Sequence, residues 1–167
     1  VRKIAAAAGC TTGAIYPLFN NKEEIYAELL TRSLRNLRAR LVETSEGVET
    51  AADRIRARTH CLLDYYLERP SEFTISFYLS AGLKRKGVGD ELNAALNGEL
   101  AELNRLGEKD MADCVGTATA ALESSSLFAH VTGLLVMQLR GRFNVFAGDP
   151  RALLDQYLDR LLGGGDQ

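Results

Sequence analysis

The chain has 167 residues, of which 46% are hydrophobic and 25% are charged, and its formal net charge is −2. This is the composition of an ordinary soluble protein that can bury a sizeable core in one or two units. Its three cysteines lack the spacing of a metal site or a disulfide framework, which suits a reducing cytoplasm.

The charge is distributed unevenly along the chain. Residues 1–46 hold seven basic and five acidic side chains, whereas residues 47–167 hold thirteen and seventeen. A mildly basic N-terminal part therefore precedes an acidic remainder. The negative net charge of the whole chain therefore does not exclude nucleic acid as a partner of the N-terminal part.

Residues 4–22 show the pattern of a helix-turn-helix. Ala5 is small enough for two helices to cross closely, and Gly9 allows the left-handed backbone that a tight turn between them needs. Thr11 or Thr12 then caps the second helix. The alternative is an ordinary alanine-rich helix and turn inside some other helical protein.

The second helix is predicted to pack with one face and to leave the other face free for DNA. Ile15 and Phe19 lie four residues apart on the inward face. The free face is predicted to consist of Thr12, Ala14, Tyr16 and Pro17. All charged side chains within residues 1–22 are basic, which suits a phosphate surface. They are Arg2, Lys3 and Lys22.

The spacing from Gly9 through Gly13, Tyr16 and Phe19 to Lys22 resembles the TetR family of bacterial transcriptional regulators. The resemblance covers residues 1 to about 30. In that family the second helix lies in the major groove of DNA, and the lysine that begins the next helix holds a phosphate. The resemblance therefore implies DNA contacts from Thr11, Thr12, Ala14, Tyr16 and Pro17, with Lys22 on the backbone.

The chain departs from the family pattern at two places. Pro17 stands where histidine is common, and because proline removes a helical N–H donor, we expect a bent or early-ending recognition helix. Val1 falls within the first helix of the motif, so the family helix that precedes it is expected to be missing.

Beyond the motif, apolar residues at spacings of three and four predict helices throughout. They run from Lys22 to about Thr44, about Thr50 to Glu68, Ser71 to Ala81, Asp90 onward, about Thr117 to Arg140 and Pro150 to Leu162. Gly107 and Gly116 are predicted to interrupt the chain after the fourth of these. We therefore expect an all-α fold, with a partial DNA-binding domain at residues 1–28 and a helical ligand-binding and dimerisation domain at residues 29–167.

The last two helices are predicted to form a dimer interface. Each has a wide apolar arc, which a second copy would cover in a two-fold four-helix arrangement. The predicted interface residues are Leu127, Val131, Leu135, Val136, Leu154, Tyr157, Leu158 and Leu161. A helix buried at the centre of a monomer is the alternative. The motif and this interface together predict a homodimer on double-stranded DNA with an inverted-repeat operator.

The family resemblance also implies a small-molecule pocket whose occupation shifts the spacing of the two DNA-binding heads. The candidate lining residues are aromatic, because such side chains offer large apolar area. They are Tyr65, Tyr66, Phe73, Phe77, Tyr78 and Phe128, and core packing is their alternative role. We expect a repressor that a small apolar effector releases from DNA; a helical dimeric module without DNA function is the other hypothesis.

The sequence contains no pattern typical of an enzyme. There is no histidine pair at metal spacing, no phosphate-binding glycine loop after a strand and no nucleophile elbow. We therefore expect no catalytic residue, no metal and no cofactor. The segment 114–139 is long and apolar, but its serines, His130 and Gln138 argue against a lipid-facing span. A cytoplasmic location follows as an expectation.

Overall fold

The computed structural model describes residues 1–76, 90–146 and 148–163. Helices dominate these ranges, and none of their residues lies in a strand. The helices are α1 (Arg2–Ala7), α2 (Thr12–Ile15), α3 (Lys22–Ser45), α4 (Ala51–Glu68), α5 (Pro70–Ser76), α6 (Asp90–Val115), α7 (Thr117–Leu139) and α8 (Pro150–Leu162). A 3-10 turn, Arg142–Asn144, lies between α7 and α8. The predicted all-α fold is confirmed.

Three helices begin where a side chain can accept the free N–H groups of the first turn. Asn21 accepts from the backbone N–H of Glu24 at 2.8 Å, and Thr50 caps α4 in the same way. Asp149 accepts two N–H groups at the start of α8, and Pro150 occupies the first position of that helix. These local signals explain why the predicted starts agree with the structure to within one residue.

The sequence predicts an interruption at Gly107, but this prediction is wrong. α6 runs through Gly107 without a break, whereas Gly116, with a φ of +84°, does separate α6 from α7. A glycine in a helix interior costs only ~1 kcal/mol. Packing of Leu103, Leu106 and Met111 on the core offsets that cost.

Buried side chains form three clusters among the described residues, and the one that contains Ala27, Leu30, Leu34 and Leu96 joins α3 to α6. The other two differ in size. The larger one joins α4, α5, α6, α7, α8 and the second half of α3, and its fully buried members are Leu63, Tyr65, Phe73, Val131, Leu135, Leu154 and Leu158. The smaller one lies in the N-terminal part and contains Ala5, Ile15 and Ile25. Because α3 contributes Ile25 to the small cluster and Leu37 to the large one, it connects the two physically.

A buried ion cluster fastens α4 to α6. Asp110 is only 6% exposed and receives Arg54 at 2.6 Å and Arg58 at 2.5 Å, one on each carboxylate oxygen. Arg58 also donates to the Ser45 hydroxyl at 2.9 Å, which includes the end of α3 in the cluster. Burial alone would raise the pKa of Asp110, but the hydrogen bonds from both arginines hold it below its ordinary value.

A row of polar side-chain contacts between α4 and α8 holds these two helices together. The pairs join Arg56 to Asp159 at 2.8 Å, His60 to Asp155 at 2.8 Å and Asp64 to Arg151 at 2.5 Å. Partners recur every four residues in opposite chain directions, as expected for antiparallel neighbours. One flank of α8 is therefore occupied by α4.

Candidate nucleic-acid interface and ligand cavity

The N-terminal segment forms a compact helix-turn-helix. Gly9 adopts a φ of +67° in the turn between α1 and α2, a conformation that glycine permits without strain. Ile15 then packs on Ala5 of α1 and on Ile25 of α3. This packing fixes the inward face of α2 and the orientation of α2 relative to α3.

The opposite surface of α2 and the turn that follows it are open to solvent. Tyr16 is 56% exposed and Leu18 is 73% exposed. Of the predicted DNA-contacting residues, Thr12 is half-buried, and the exposed ones are Thr11, Ala14, Tyr16, Pro17 and Lys22. Leu18 is absent from the prediction because an isolated leucine between Ile15 and Phe19 is typical of a core position.

α2 ends early, as Pro17 predicts. The last residue of the helix is Ile15, and residues 16–18 form a turn. The backbone carbonyl of Ile15 accepts the N–H groups of Leu18 at 2.9 Å and of Phe19 at 3.0 Å, so the turn remains wound tightly. Thr11 is the N-terminal flanking residue of α2, but its side chain makes no capping hydrogen bond.

Lys22 projects from the first position of α3. Its ammonium nitrogen lies 3.6 Å from a carboxylate oxygen of Glu23 and remains exposed. The turn before it is rigid, because Asn20 donates its backbone N–H and its side-chain amide to Glu24 at 2.9 and 3.0 Å. These hydrogen bonds lower the pKa of Glu24. An exposed lysine on such a fixed support is well suited to hold a phosphate.

Comparison with known proteins agrees with this geometry. Residues 1–29 match the family model described as bacterial regulatory proteins, tetR family. The chain carries the DNA-binding motif of TetR-family regulators. The solved structure of SCO4313, which is assigned as a regulatory protein, has a TM-score of 0.69 at 19% identity, over 97% of this chain and 84% of that one. A regulatory protein in the tetR family from Rhodococcus RHA1 has a TM-score of 0.66 at 17% identity, over 97% and 83%. A search of curated protein sequences finds no match.

The helical body that follows this motif buries most of the side chains that the sequence predicts for the dimer interface. Five lie inside the chain's own core: Leu127, Val131, Leu135, Leu154 and Leu158. Val136, Tyr157 and Leu161 are half-buried. The apolar arcs of α7 and α8 are used first within the chain, and the dimer interface stays a prediction.

α7 nevertheless keeps an apolar outer face. Leu122 is 71% exposed, Phe128 is also exposed, and small residues stand between and beyond them on the surface. These small residues are Ala118, Ala121, Ser125, Ala129 and Gly133. At the edge of this face the His130 ring stacks on Tyr157 of α8 with a centroid distance of 4.3 Å. By length and composition alone, α7 is also the one described helix that could cross a membrane.

A cavity of about 360 Å³ lies between α3, α4, α6 and α7. Leucines of α3 and α6 make up much of its wall, and the polar groups among the described lining residues are those of Tyr66, Ser76 and Asn104. No charged side chain occurs in this described lining. The Tyr66 hydroxyl lies 3.4 Å from the Ser76 hydroxyl, and burial raises the pKa of Tyr66. Such a cavity fits a neutral, mainly apolar molecule.

Two of the six predicted effector residues, Tyr66 and Phe128, line this cavity. Tyr65 and Phe73 are fully buried in the core instead and do not line it. The Tyr65 hydroxyl donates to Glu72 at 2.6 Å, and burial together with Glu72 raises the pKa of Tyr65 to about 12. The remaining two predicted residues, Phe77 and Tyr78, lie outside the described residues.

Proposed function

We propose that this chain is a transcriptional repressor that binds an inverted-repeat operator as a homodimer and is released by a small apolar effector. The observation that carries the proposal is the course of α3. The helix begins with exposed Lys22, four residues after the recognition segment (residues 11–18), and continues without a break into the wall of the cavity. It contributes Leu30, Leu34, Leu37 and Leu41 to that wall. A protein of this kind acts in the cytoplasm, where the DNA of a bacterium lies.

The DNA contacts in this proposal come from one exposed surface. Thr11, Thr12 and Tyr16 offer hydroxyl groups, and Ala14 and Pro17 offer small apolar surfaces, all toward the major groove. Lys22 contributes a phosphate contact at the start of α3. The DNA-binding part corresponds to residues 1–28 and the regulatory part to residues 29–167, with the division inside α3.

The homodimer is proposed to form through the outer face of α7 and the adjoining flank of α8. The small residues on α7 allow a second α7 to approach closely, and Leu122 supplies apolar area at the centre of the contact. Tyr157, Val136 and Leu161 lie at the margins. In the proposed dimer a two-fold axis relates the two DNA-binding parts, as an inverted repeat requires.

Release by an effector needs two conformations that differ in affinity for the ligand. A ligand in the cavity touches α3, α4, α6 and α7 at once, so it favours one mutual arrangement of these helices. Because α3 is continuous, a tilt at its cavity end moves Lys22 and the recognition segment at the other end. Couplings of this kind are typically ~1–3 kcal/mol.

Selection of bound duplexes from random DNA tests the DNA-binding part of the proposal. Purified protein is expected to enrich inverted repeats and to bind them as two protomers per duplex. The variant Lys22→Ala serves as the weakened form, and Lys109→Ala, an exposed lysine of α6, serves as its matched control. Enrichment of no sequence at all would favour the alternative, a helical dimeric module without DNA function.

A further inference from the structure

The recognition segment, defined as residues 11–18, has an unusual set of side chains for a surface that contacts bases. It contains no charged residue and no amide side chain. The strongest discriminating contacts in the major groove are those of arginine or lysine with guanine and of asparagine or glutamine with adenine. Direct contacts of both kinds are therefore unavailable within this segment.

The two asparagines that follow the segment do not fill this gap. The Asn20 amide donates to Glu24 at 3.0 Å, and the Asn21 side-chain oxygen accepts from the Glu24 backbone at 2.8 Å. Both side chains are thus engaged in the cap of α3. In the sequence, the first charged residue before the segment is Lys3 on α1 and the first one after it is Lys22 on α3.

The segment offers apolar groups instead. Leu18, on the turn after α2, is 73% exposed, and Ala14, the third residue of α2, is also exposed. An isolated exposed leucine is common on protein surfaces, but this one stands on a tightly wound turn inside the helix-turn-helix, four residues before the exposed Lys22. The only apolar group that bases present in the major groove is the C5 methyl group of thymine.

We infer that Leu18, together with Ala14, recognises thymine methyl groups in the operator, and that Leu18 determines this preference. The inference rests on the proposed DNA binding through α2. Contact between a leucine side chain and a methyl group removes both from water. The operator half-site is accordingly expected to contain thymine, on one strand, at the positions opposite this turn.

Replacement of thymine by deoxyuridine in selected duplexes tests the inference, because it removes only the methyl group. Binding is measured by titration with each symmetry-related pair of thymines replaced in turn. The wild-type chain is expected to lose affinity about fourfold for each contacted methyl group, or ~0.8 kcal/mol. In Leu18→Ala, the sensitivity to deoxyuridine is expected to disappear at the thymine that Leu18 contacts and to remain at a thymine that Ala14 contacts. Val145→Ala, at a residue 79% exposed between α7 and α8, is expected to keep the full wild-type sensitivity.

The outcomes separate this inference from the proposed function. Specific binding that is indifferent to deoxyuridine at every position overturns the inference and leaves the proposed function intact. Failure to enrich any duplex overturns the proposed function itself. If Leu18→Ala lowers the melting temperature and keeps the deoxyuridine sensitivity, Leu18 is a packing residue and its assigned role is wrong. Leu18→Gln is a second test: because an amide side chain can hydrogen-bond adenine, the duplexes that this variant selects are expected to contain adenine at these positions.

Discussion

At the scale of single residues, Asp110 has the clearest structural role. It is buried between two arginines that come from the same face of α4, and one of these arginines also holds the end of α3. Removal of the carboxylate charge would leave two guanidinium groups partly buried without their partner. A buried pair that loses one member typically destabilises a protein by ~3–5 kcal/mol.

We therefore expect Asp110→Asn to lower the free energy of unfolding by about 3 kcal/mol near neutral pH. Since the pKa of Asp110 is lowered in the folded state, its contribution is present above the ordinary value of about 3.9 and is lost as the pH falls through the folded pKa. Urea unfolding at neutral and at acidic pH measures this difference. The exposed Asp113→Asn is the matched control on the same helix. An equal difference at both pH values would contradict this role.

Lys22 provides a second prediction at the residue scale, because its role is electrostatic. Lys22→Ala is expected to weaken binding to all DNA sequences alike and to reduce the slope of log affinity against log salt concentration by about 1. Titrations at several salt concentrations give that slope, and Lys109→Ala should leave it unchanged. A changed base preference in Lys22→Ala would show instead that this side chain contacts a base.

At the scale of helices, the sequence predicts most boundaries but not which apolar face points inward. The starts of α3, α4 and α8 were predictable because each depends on a local cap. The side chains of Asn21, Thr50 and Asp149 accept hydrogen bonds from backbone N–H groups at most three residues later. The prediction at Gly107 was wrong because tertiary packing keeps α6 helical on both sides of this glycine. In α7 and α8 the periodicity identified the apolar residues, yet only the packed chain shows that Leu158 faces inward.

Two charge substitutions distinguish the face of the last helices that packs in the core from the face that is proposed to form the dimer. Leu158 is 0% exposed, so Leu158→Glu is expected to unfold the body, whereas Leu122→Glu on the outer face of α7 is expected to give folded monomers. Sedimentation velocity measures the oligomeric state, and circular dichroism measures the fold. Val145→Glu, at an exposed site between α7 and α8, is the control. A stable dimer of Leu122→Glu would place the interface elsewhere.

At the scale of the whole molecule, the cavity and the recognition segment are joined by α3. The cavity was only partly predictable: aromatic composition pointed to Tyr66 and Phe128, but also to Tyr65 and Phe73, which the core uses. Most of the described wall is leucine, a residue that gives no distinctive signal in sequence. The position of the cavity depends on how α3, α4, α6 and α7 pack together, which no single helix encodes.

Neutral apolar compounds that enter this cavity are expected to raise the melting temperature. Binding to the folded state alone stabilises it by ~2.7 kcal/mol at a ligand concentration a hundred times Kd. Leu100 is partly exposed and lines the cavity, so Leu100→Trp is expected to abolish the shift by filling the space. Leu29→Trp, at a similarly exposed leucine of α3 outside the lining, should retain it. Compounds that stabilise both variants equally would bind elsewhere.

The most direct test of ligand-controlled DNA binding is the affinity for one selected inverted-repeat duplex, measured with and without a compound that stabilises the protein. Fluorescence anisotropy at fixed salt concentration gives both values. Affinity is expected to fall about 5- to 150-fold when the cavity is filled, which corresponds to the usual coupling range. In Leu100→Trp the same compound should leave the affinity unchanged. An affinity that stays the same in the wild-type chain at saturating compound would contradict the coupling of the cavity to the recognition segment through α3.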